Sequence, residues 1–525
     1  MTATTGLIDA ARIARPRAAD AALPVIVLFT LVAALLPVLV NAFPVADDFL
    51  NHLARCYVIL RHGSDHLLDQ FYTIRWKVVP NLAIDLIVPP LAGLIGLYAA
   101  GKAFVLAYML LLLSGPHAIH YAINRHLSVG PLVAALFLYN QMERYGTVNY
   151  EFGVGLALWA VALWIALRQA APLLRGAVST LAVVVLFFCH LEAVAIYGVA
   201  IAAVEAERLW ARRSTPRLLA ADLAALLLPF VPSLLLLASG PHTEAPPPMH
   251  WGGWVARLDG LRAALEAYYA WPDAIAVAAM TAGLGWLLWR RILRVPAGAW
   301  LFMAFGGVLF AVIPDQAMGA WGAAVRLPIG LLFVLIGLLR WQFPGRRARM
   351  AFLMALAALV TLRSAAAEVA YRRYNEIRRD FGASLPLIPP GSRVLVAREW
   401  QNAIPALSGI QDLPSLVMIE RSSLDSLAYS HPLQQVLVVR APYRASTGGY
   451  DDNPIPLADL LDPPSRPPPG GFRFDPSGRI YWKDWQRTYD YVYLLDRLDR
   501  SNPAPDRLDL LRNGDRFQLF RVRRP

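Results

Sequence analysis

Charge is scarce in this chain: of 525 residues, 16% are Asp, Glu, Lys or Arg, where soluble domains carry about 25%. Lysine is almost missing, with only Lys77, Lys102 and Lys483, so the formal net charge of +12 is an arginine surplus. No basic tract interleaved with aromatics occurs, which argues against a nucleic-acid partner and for lipid head groups and loop orientation. The two cysteines, Cys56 and Cys189, have no metal-ligand spacing, and no disulfide between them is expected. No internal repeat relates the two halves of the chain. What remains is apolar: 57% of residues are hydrophobic and the mean hydropathy is +0.45. These values describe a polytopic membrane protein.

Residues 1–21 hold Arg12, Arg15 and Arg17 and read as a cytoplasmic tail without a cleavable signal. The run 22–42 is long enough to span. Further apolar runs cover 102–122, 129–141, 152–168, 173–190, 193–210, 217–238, 272–289, 297–313, 326–341 and 349–366, giving about eleven spans. Arginine clusters at Arg125, Arg168/Arg175, Arg208/Arg212/Arg213, Arg290/Arg291/Arg294 and Arg340/Arg346/Arg347/Arg349 occupy every second connection, as the positive-inside tendency requires. Residues 80–100 are apolar but contain Asp85 and Pro89-Pro90, which suit an interfacial or re-entrant helix better than a span. The expected organisation is a transmembrane domain over 22–366, with a first outer loop at 43–101 and a long outer loop at 239–271. A soluble outer domain over 367–525 follows. High Ala, Leu and Arg usage suggests a bacterial inner membrane with the outer loops in the periplasm.

The unusual polar residues gather on that outer face. The first loop opens with Asp47 and Asp48 in Phe43-Pro-Val-Ala-Asp-Asp-Phe-Leu-Asn-His-Leu-Ala-Arg55. Ionisable groups at the hydrocarbon edge are costly and point to function. Read as a helix, Asp47, Asn51 and Arg55 share one stripe and Asp48 and His52 the next, with Phe49, Leu50 and Leu53 toward lipid. A simple N-cap would use one acid and explain neither Asn51 nor Arg55. Asp47, Asp48, Asn51, His52 and Arg55 are therefore candidate site residues; the resemblance set out below implies that Asp47 or Asp48 is the catalytic base and leaves Asn51, His52 and Arg55 as substrate contacts.

Later outer segments add Glu143 and Glu151, His190 and Glu192, then His242, Glu244, His250, Trp251 and Trp254, and finally Asp315 and Arg326. Arg326 suits a substrate phosphate or a lipid phosphate. Arg75-Trp76-Lys77 reads first as an interface anchor and second as a phosphate contact. Asp48, His190 and Glu192 are candidate ligands for Mg²⁺ or Mn²⁺, which favour carboxylates and phosphate. The competing reading is that His190 and Glu192 merely end a helix. Trp251, Trp254, Trp271 and Trp321 fit an interfacial belt, a minority of them stacking on sugar.

From about residue 367 the composition turns water-soluble. Strand-like runs at 393–398, 435–440, 489–495 and 517–522 suggest a small α/β domain. This stretch contains no GxGxxG, P-loop or nucleophile elbow, so it reads as a cap or acceptor-binding surface.

The one span, the long outer loop opening on Ala46-Asp47-Asp48-Phe49, the interfacial helices, the many further spans and the outer α/β domain together resemble the GT-C superfamily of membrane glycosyltransferases. That resemblance implies a sugar donor carried on a polyprenyl phosphate, a glycan, lipid or protein acceptor in the cell envelope, and a first-loop aspartate acting as base or metal ligand. It also implies a second acidic outer loop. The aspartate expected there is absent, leaving Glu143 or Glu151 in its place and putting metal dependence in question. A transporter or flippase of lipid-linked glycans, a polymerase or ligase of such glycans, and a non-catalytic envelope-assembly protein are the alternatives. A transporter usually places ionisable groups at mid-membrane on broken helices, whereas here they collect on one side.

Overall fold

The computed structural model describes residues 18–211, 216–241, 249–317, 320–449, 453–464 and 480–525. The N-terminal arginines, Arg212, Arg213, His242, Glu244 and residues 465–469 of the proline-rich connection lie outside them. The chain is mainly helical: α1 (Ala18–Val40), α2 (Phe49–Arg61), α3 (His66–Phe71), α4 (Ala83–Ile95), α5 (Leu97–Asn124), α6 (Gln141–Tyr145), α7 (Val148–Ala166) and α8 (Pro172–Cys189). Then come α9 (Leu191–Ala211), α10 (Pro216–Leu227), α11 (Val231–Ala238), α12 (Gly253–Ala263), α13 (Ala270–Trp289), α14 (Ala297–Val312), α15 (Ala323–Leu338) and α16 (Arg346–Gly382).

Among the described residues, seven stretches are helical, long and apolar enough to cross a membrane: 22–40, 97–124, 148–169, 172–189, 219–238, 270–289 and 346–387. Three more of the eleven expected spans are helical but fall short of that standard. α14 and α15 have 16 residues each, and α9 carries Glu192, Glu205 and Arg208 along its length. The run 129–141 does not form a spanning helix. It holds the 3₁₀-helix Gly130–Phe137, whose eight residues rise only roughly 16 Å. Residues 80–100 hold the 13-residue α4, roughly 20 Å long, before the chain turns into α5.

The expectation that Phe49, Leu50 and Leu53 face lipid is wrong: all three are buried in protein. α2, within the first loop, sets Phe49 and Leu53 against Gly101 of α5. Gly101 permits that contact, since a Cβ there would stand 2.6 Å from Leu53 Cδ2. Lys102 ties the start of α5 to the end of α1, its Nζ donating to the carbonyls of Leu39 and Asn41 at 2.9 and 2.8 Å.

α16 runs unbroken for 37 residues, so the boundary expected at 367 falls inside a rigid helix. Beyond it a mixed sheet runs in the order 508–513, 517–522, 491–495, 393–398, 424–425, with 455–456 also pairing with 393–398. The strands Arg393–Arg398 and Tyr491–Leu495 are parallel (Val396 opposite Tyr493), and Phe517–Val522 returns antiparallel. Alternation sorts their side chains. Val394, Val396, Tyr493 and Leu495 join the core continuous with the membrane helices, while Leu395, Ala397, Val492 and Leu494 face a smaller core with Trp482 and Phe520.

Three of the four strands read from sequence lie in this sheet. The fourth, observed as Leu437–Val439, instead pairs antiparallel with Tyr72–Ile74 of the first loop, Tyr72 opposite Val439. The first loop and the last domain are thus stitched together by backbone hydrogen bonds.

Candidate active site

The aspartate pair sits in an irregular stretch between α1 and α2 that is fixed by its backbone. Asn375 of α16 clamps Phe43, accepting from its amide at 3.0 Å and donating to its carbonyl at 2.9 Å. The amides of Asp47 and Asp48 donate to the carbonyls of Arg144 and Tyr145 at 2.9 and 3.2 Å. Gly146 lies against this contact at φ +76°, and a Cβ on it would stand 2.8 Å from the Asp48 nitrogen. Asp48 occupies the N-cap position of α2 but its side chain makes no capping bond, so the cap reading fails.

Both aspartates line a cavity of about 570 Å³ with Asn51, His52 and Arg55 of α2. The helical stripe predicted from sequence does converge on one space, but Arg55 is not available to a phosphate. It is 1% exposed, and its Nε donates to Asp85 Oδ1 of α4 at 2.6 Å. Its Nη2 lies 2.6 Å from His52 Nδ1. A guanidinium only donates, so His52 Nδ1 accepts and the proton sits on Nε2. Burial, then Arg55, keep the His52 pKa well below its usual value. Asp85 is the supporting acid that sequence reasoning left unassigned. Its signal was a lone acid in an apolar helix.

Across the cavity stand His190, Glu192 and Arg326. Arg326 directs Nε and Nη2 to Glu192 Oε1 at 3.1 and 3.0 Å, which fixes the guanidinium and leaves Nη1 over. His190 Nδ1 accepts from the Glu192 amide at 3.3 Å, and its ring meets Tyr150 edge-on at 5.4 Å. The predicted metal set of Asp48, His190 and Glu192 is not assembled: no group of three His, Cys, Asp or Glu side chains is placed to hold a metal among the described residues. Glu192 Oε1 is taken by Arg326, and His190 Nδ1 by a backbone amide.

Three other candidates lie elsewhere. Glu143 is buried behind the cavity, its two oxygens accepting from the Tyr268 and Tyr371 hydroxyls at 2.6 Å each. Burial still lifts its carboxyl to about 7. It joins α6 to α16 and touches no substrate space. Arg75 and Lys77 are also off the cavity. The Arg75 amide donates to Val436 O at 2.9 Å and Lys77 Nζ to Pro432 O at 3.3 Å, holding a loop of the last domain. Trp251, Trp254 and Trp271 are exposed, as a belt requires, while Trp321 lines the cavity beside Tyr145.

Sequence reasoning missed the fourth wall. Gln411, Tyr429, Gln434, Gln435 and Asn453 reach the cavity from the last domain. Neutral side chains some 400 residues from the aspartates in the chain carry no sequence signal of their own.

Three residues of the wall each carry a buried side-chain oxygen without a hydrogen-bond partner: Asp47 Oδ1, Glu192 Oε2 and Gln435 Oε1. Each such atom costs about 1–3 kcal/mol. Burial pushes the Asp47 carboxyl up to about 6, against the pull of Ser408, Arg144 and Arg398. A carboxylate titrating there accepts a proton well near neutral pH.

No family model matches the chain, and no curated protein matches it in sequence. Among solved structures it is similar to ArnT from Cupriavidus metallidurans in the apo state, with a TM-score of 0.50 and 12% identity. The match covers 96% of this chain and 98% of that one. The likeness takes in the membrane helices, the first loop and the last domain alike, and it is one of backbone, not of sequence. This chain shares the fold of that structure, and among its described residues seven stretches are long and apolar enough to cross a membrane.

Proposed function

We propose that the protein is a glycosyltransferase that moves a sugar from a polyprenyl-phosphate donor to a hydroxyl of a cell-envelope acceptor, at the periplasmic face of a bacterial inner membrane. The observation that carries this reading is Asp47. The residue lines a cavity at the head of the first loop, and burial lifts its carboxyl to about 6, near neutrality.

In the proposed reaction Asp47 takes the proton of the acceptor hydroxyl from hydrogen-bond reach, about 2.6–3.2 Å. The acceptor oxygen bonds to the anomeric carbon as the bond from that carbon to the phosphate oxygen breaks. Polyprenyl phosphate leaves with the electron pair. Arg326, held by Glu192, directs its remaining Nη1 at the charge growing on the phosphate, where a fixed cation in a partly dry site is most effective. Arg55, balanced by Asp85, keeps His52 neutral and oriented. Asp48 shares the cavity as a substrate contact. Leu191 and Ile313 on the wall give the prenyl chain an apolar approach from the bilayer.

A transfer assay tests this reading with purified protein, radiolabelled polyprenyl-phosphate sugars and an envelope acceptor fraction. Asp47→Asn lowers transfer by about 10²–10⁴-fold, and Asp48→Asn by less. Full activity in both variants removes the proposed base. Loss of transfer under EDTA would add a metal that the mechanism above does not use.

A further inference from the structure

A second cavity, of about 730 Å³, opens between α5, α7 and α8 and shares no wall residue with the candidate active site. All three helices are among the stretches long and apolar enough to cross a membrane. The active-site cavity takes Tyr150 from the start of α7 and His190 from just past the end of α8. The second cavity takes Leu163 and Ala166 from the other end of α7, and Arg125 from the far end of α5. Tyr150 and Leu163 stand roughly 20 Å apart along their helix, so the second cavity belongs to the opposite half of the bilayer. It follows α5 from Ser114 to Arg125, roughly 16 Å. That is the depth of one leaflet, about half of a hydrocarbon core roughly 30 Å thick.

The wall combines small residues (Ala118, Ala122, Ala160, Ala182) with large ones whose surface stays open (Tyr121, Trp159, Leu163, Leu181). Its inner polar groups already have partners. Trp159 Nε1 donates to Ser114 Oγ at 3.0 Å, Ser114 Oγ to Leu110 O at 2.7 Å, and His117 Nδ1 to Leu113 O at 3.0 Å. Along its length the groove therefore offers a ligand close packing and no polar handle. Arg125 is the exception. It is exposed at the C-terminal end of α5, and its side chain has no ion-pair or hydrogen-bond partner among the described residues. A long, unrestrained arginine of this kind lays its stem on apolar surface and keeps its charge at the membrane edge.

We propose that this groove holds an acyl chain of an anionic phospholipid, with the Arg125 guanidinium on the phosphate, in the leaflet opposite the candidate active site. Arginine complements a phosphate in charge, and its planar fork can meet two phosphate oxygens at once. A chain one leaflet long fits a groove one leaflet deep, whereas a polyprenyl chain would overrun it. The assignment requires only that α5, α7 and α8 span a bilayer, and it stands apart from the transferase reading.

The test places the full-length protein in nanodiscs that contain phosphatidylglycerol or phosphatidylethanolamine, each with the same diazirine-bearing acyl chain. Crosslinks to the peptides holding residues 156–166 and 178–186 are then counted. Wild type is expected to take the phosphatidylglycerol probe about fivefold more than the neutral one, the worth of one basic side chain beside anionic lipid. Arg125→Gln should abolish that preference and Arg125→Lys should keep most of it. Ala182→Phe, which fills the groove, should lower crosslinking by both probes. The exposed Arg125 variants carry the test if Ala182→Phe does not fold. Equal labelling by the two probes in wild type overturns the proposal, as does a preference that survives in Arg125→Gln. Displacement of the probe by decaprenyl phosphate more readily than by unlabelled phosphatidylglycerol also overturns it, and would give the groove to the polyprenyl lipid instead.

Discussion

Asp47 sets function against stability within one side chain. As a base it must be unprotonated, so transfer should fall as pH drops through about 6 and level off above it. A pH profile of kcat/KM in wild type checks this. A profile with no inflection between pH 5 and 7 would exclude Asp47 as the group that titrates. The stability argument runs the other way. A carboxyl whose pKa is raised on folding binds more protons folded than unfolded, so stability declines as pH rises from the ordinary aspartate range through about 6 and stays reduced at neutral pH. Asp47→Asn should therefore lose transfer and yet melt at the same or a higher temperature than wild type at pH 7.5, in a detergent thermal-shift assay. The aspartate pair and Arg326 were legible in sequence because charge at a membrane edge is anomalous on its face. The pairing of Arg55 with Asp85 was not, because it depends on how α4 folds back over α2. Gln435 was hidden for a simpler reason: an uncharged amide in a soluble segment breaks no rule.

Among the elements, the turn after α6 controls the aspartates most directly. Gly146→Ala forces an L side chain into a left-handed backbone, at a cost of order 1–3 kcal/mol, and drives its Cβ onto the Asp48 amide. Transfer should drop at least tenfold, mainly in kcat, with the protein still extractable and folded by circular dichroism. Wild-type kinetics in this variant would show that the backbone clamp does not position the acids. α16 makes a different demand. Ala367→Pro falls within its 37 residues at a fully buried position, where proline costs roughly 3 kcal/mol or more. It should lower the melting temperature and yield sharply, as size-exclusion profiles would report. The sequence marked 367 as a boundary because hydropathy changes there, and composition carries no mark of a helix passing straight through. The same blindness put a span at 129–141, since an apolar run of that length has no periodicity to separate a 3₁₀ segment from an α-helix.

For the molecule as a whole, the last domain is an integral part of the membrane body. Val394, Val396, Tyr493 and Leu437 belong to the core that continues into the helices, and the strand Leu437–Val439 pairs with Tyr72–Ile74 of the first loop. Expressed alone, residues 383–525 would expose that apolar sheet face and an unpaired strand edge, a combination that promotes aggregation. The fragment should be insoluble or bind a hydrophobic dye strongly, and a soluble, cooperatively melting fragment would contradict this. The broad architecture was legible in sequence because hydropathy reports spans and strand-like runs report a sheet. The pairing of Tyr72 with Val439 joins segments too far apart in the chain for any local pattern to announce it.

That stitch between first loop and last domain also has a consequence in time. The acids at 47 and 48 are made early in synthesis, but the residues that close the cavity against them, up to Asn453, are among the last. A partly synthesised chain therefore holds its acids without a complete pocket around them until Gln411 to Asn453 have been made and docked.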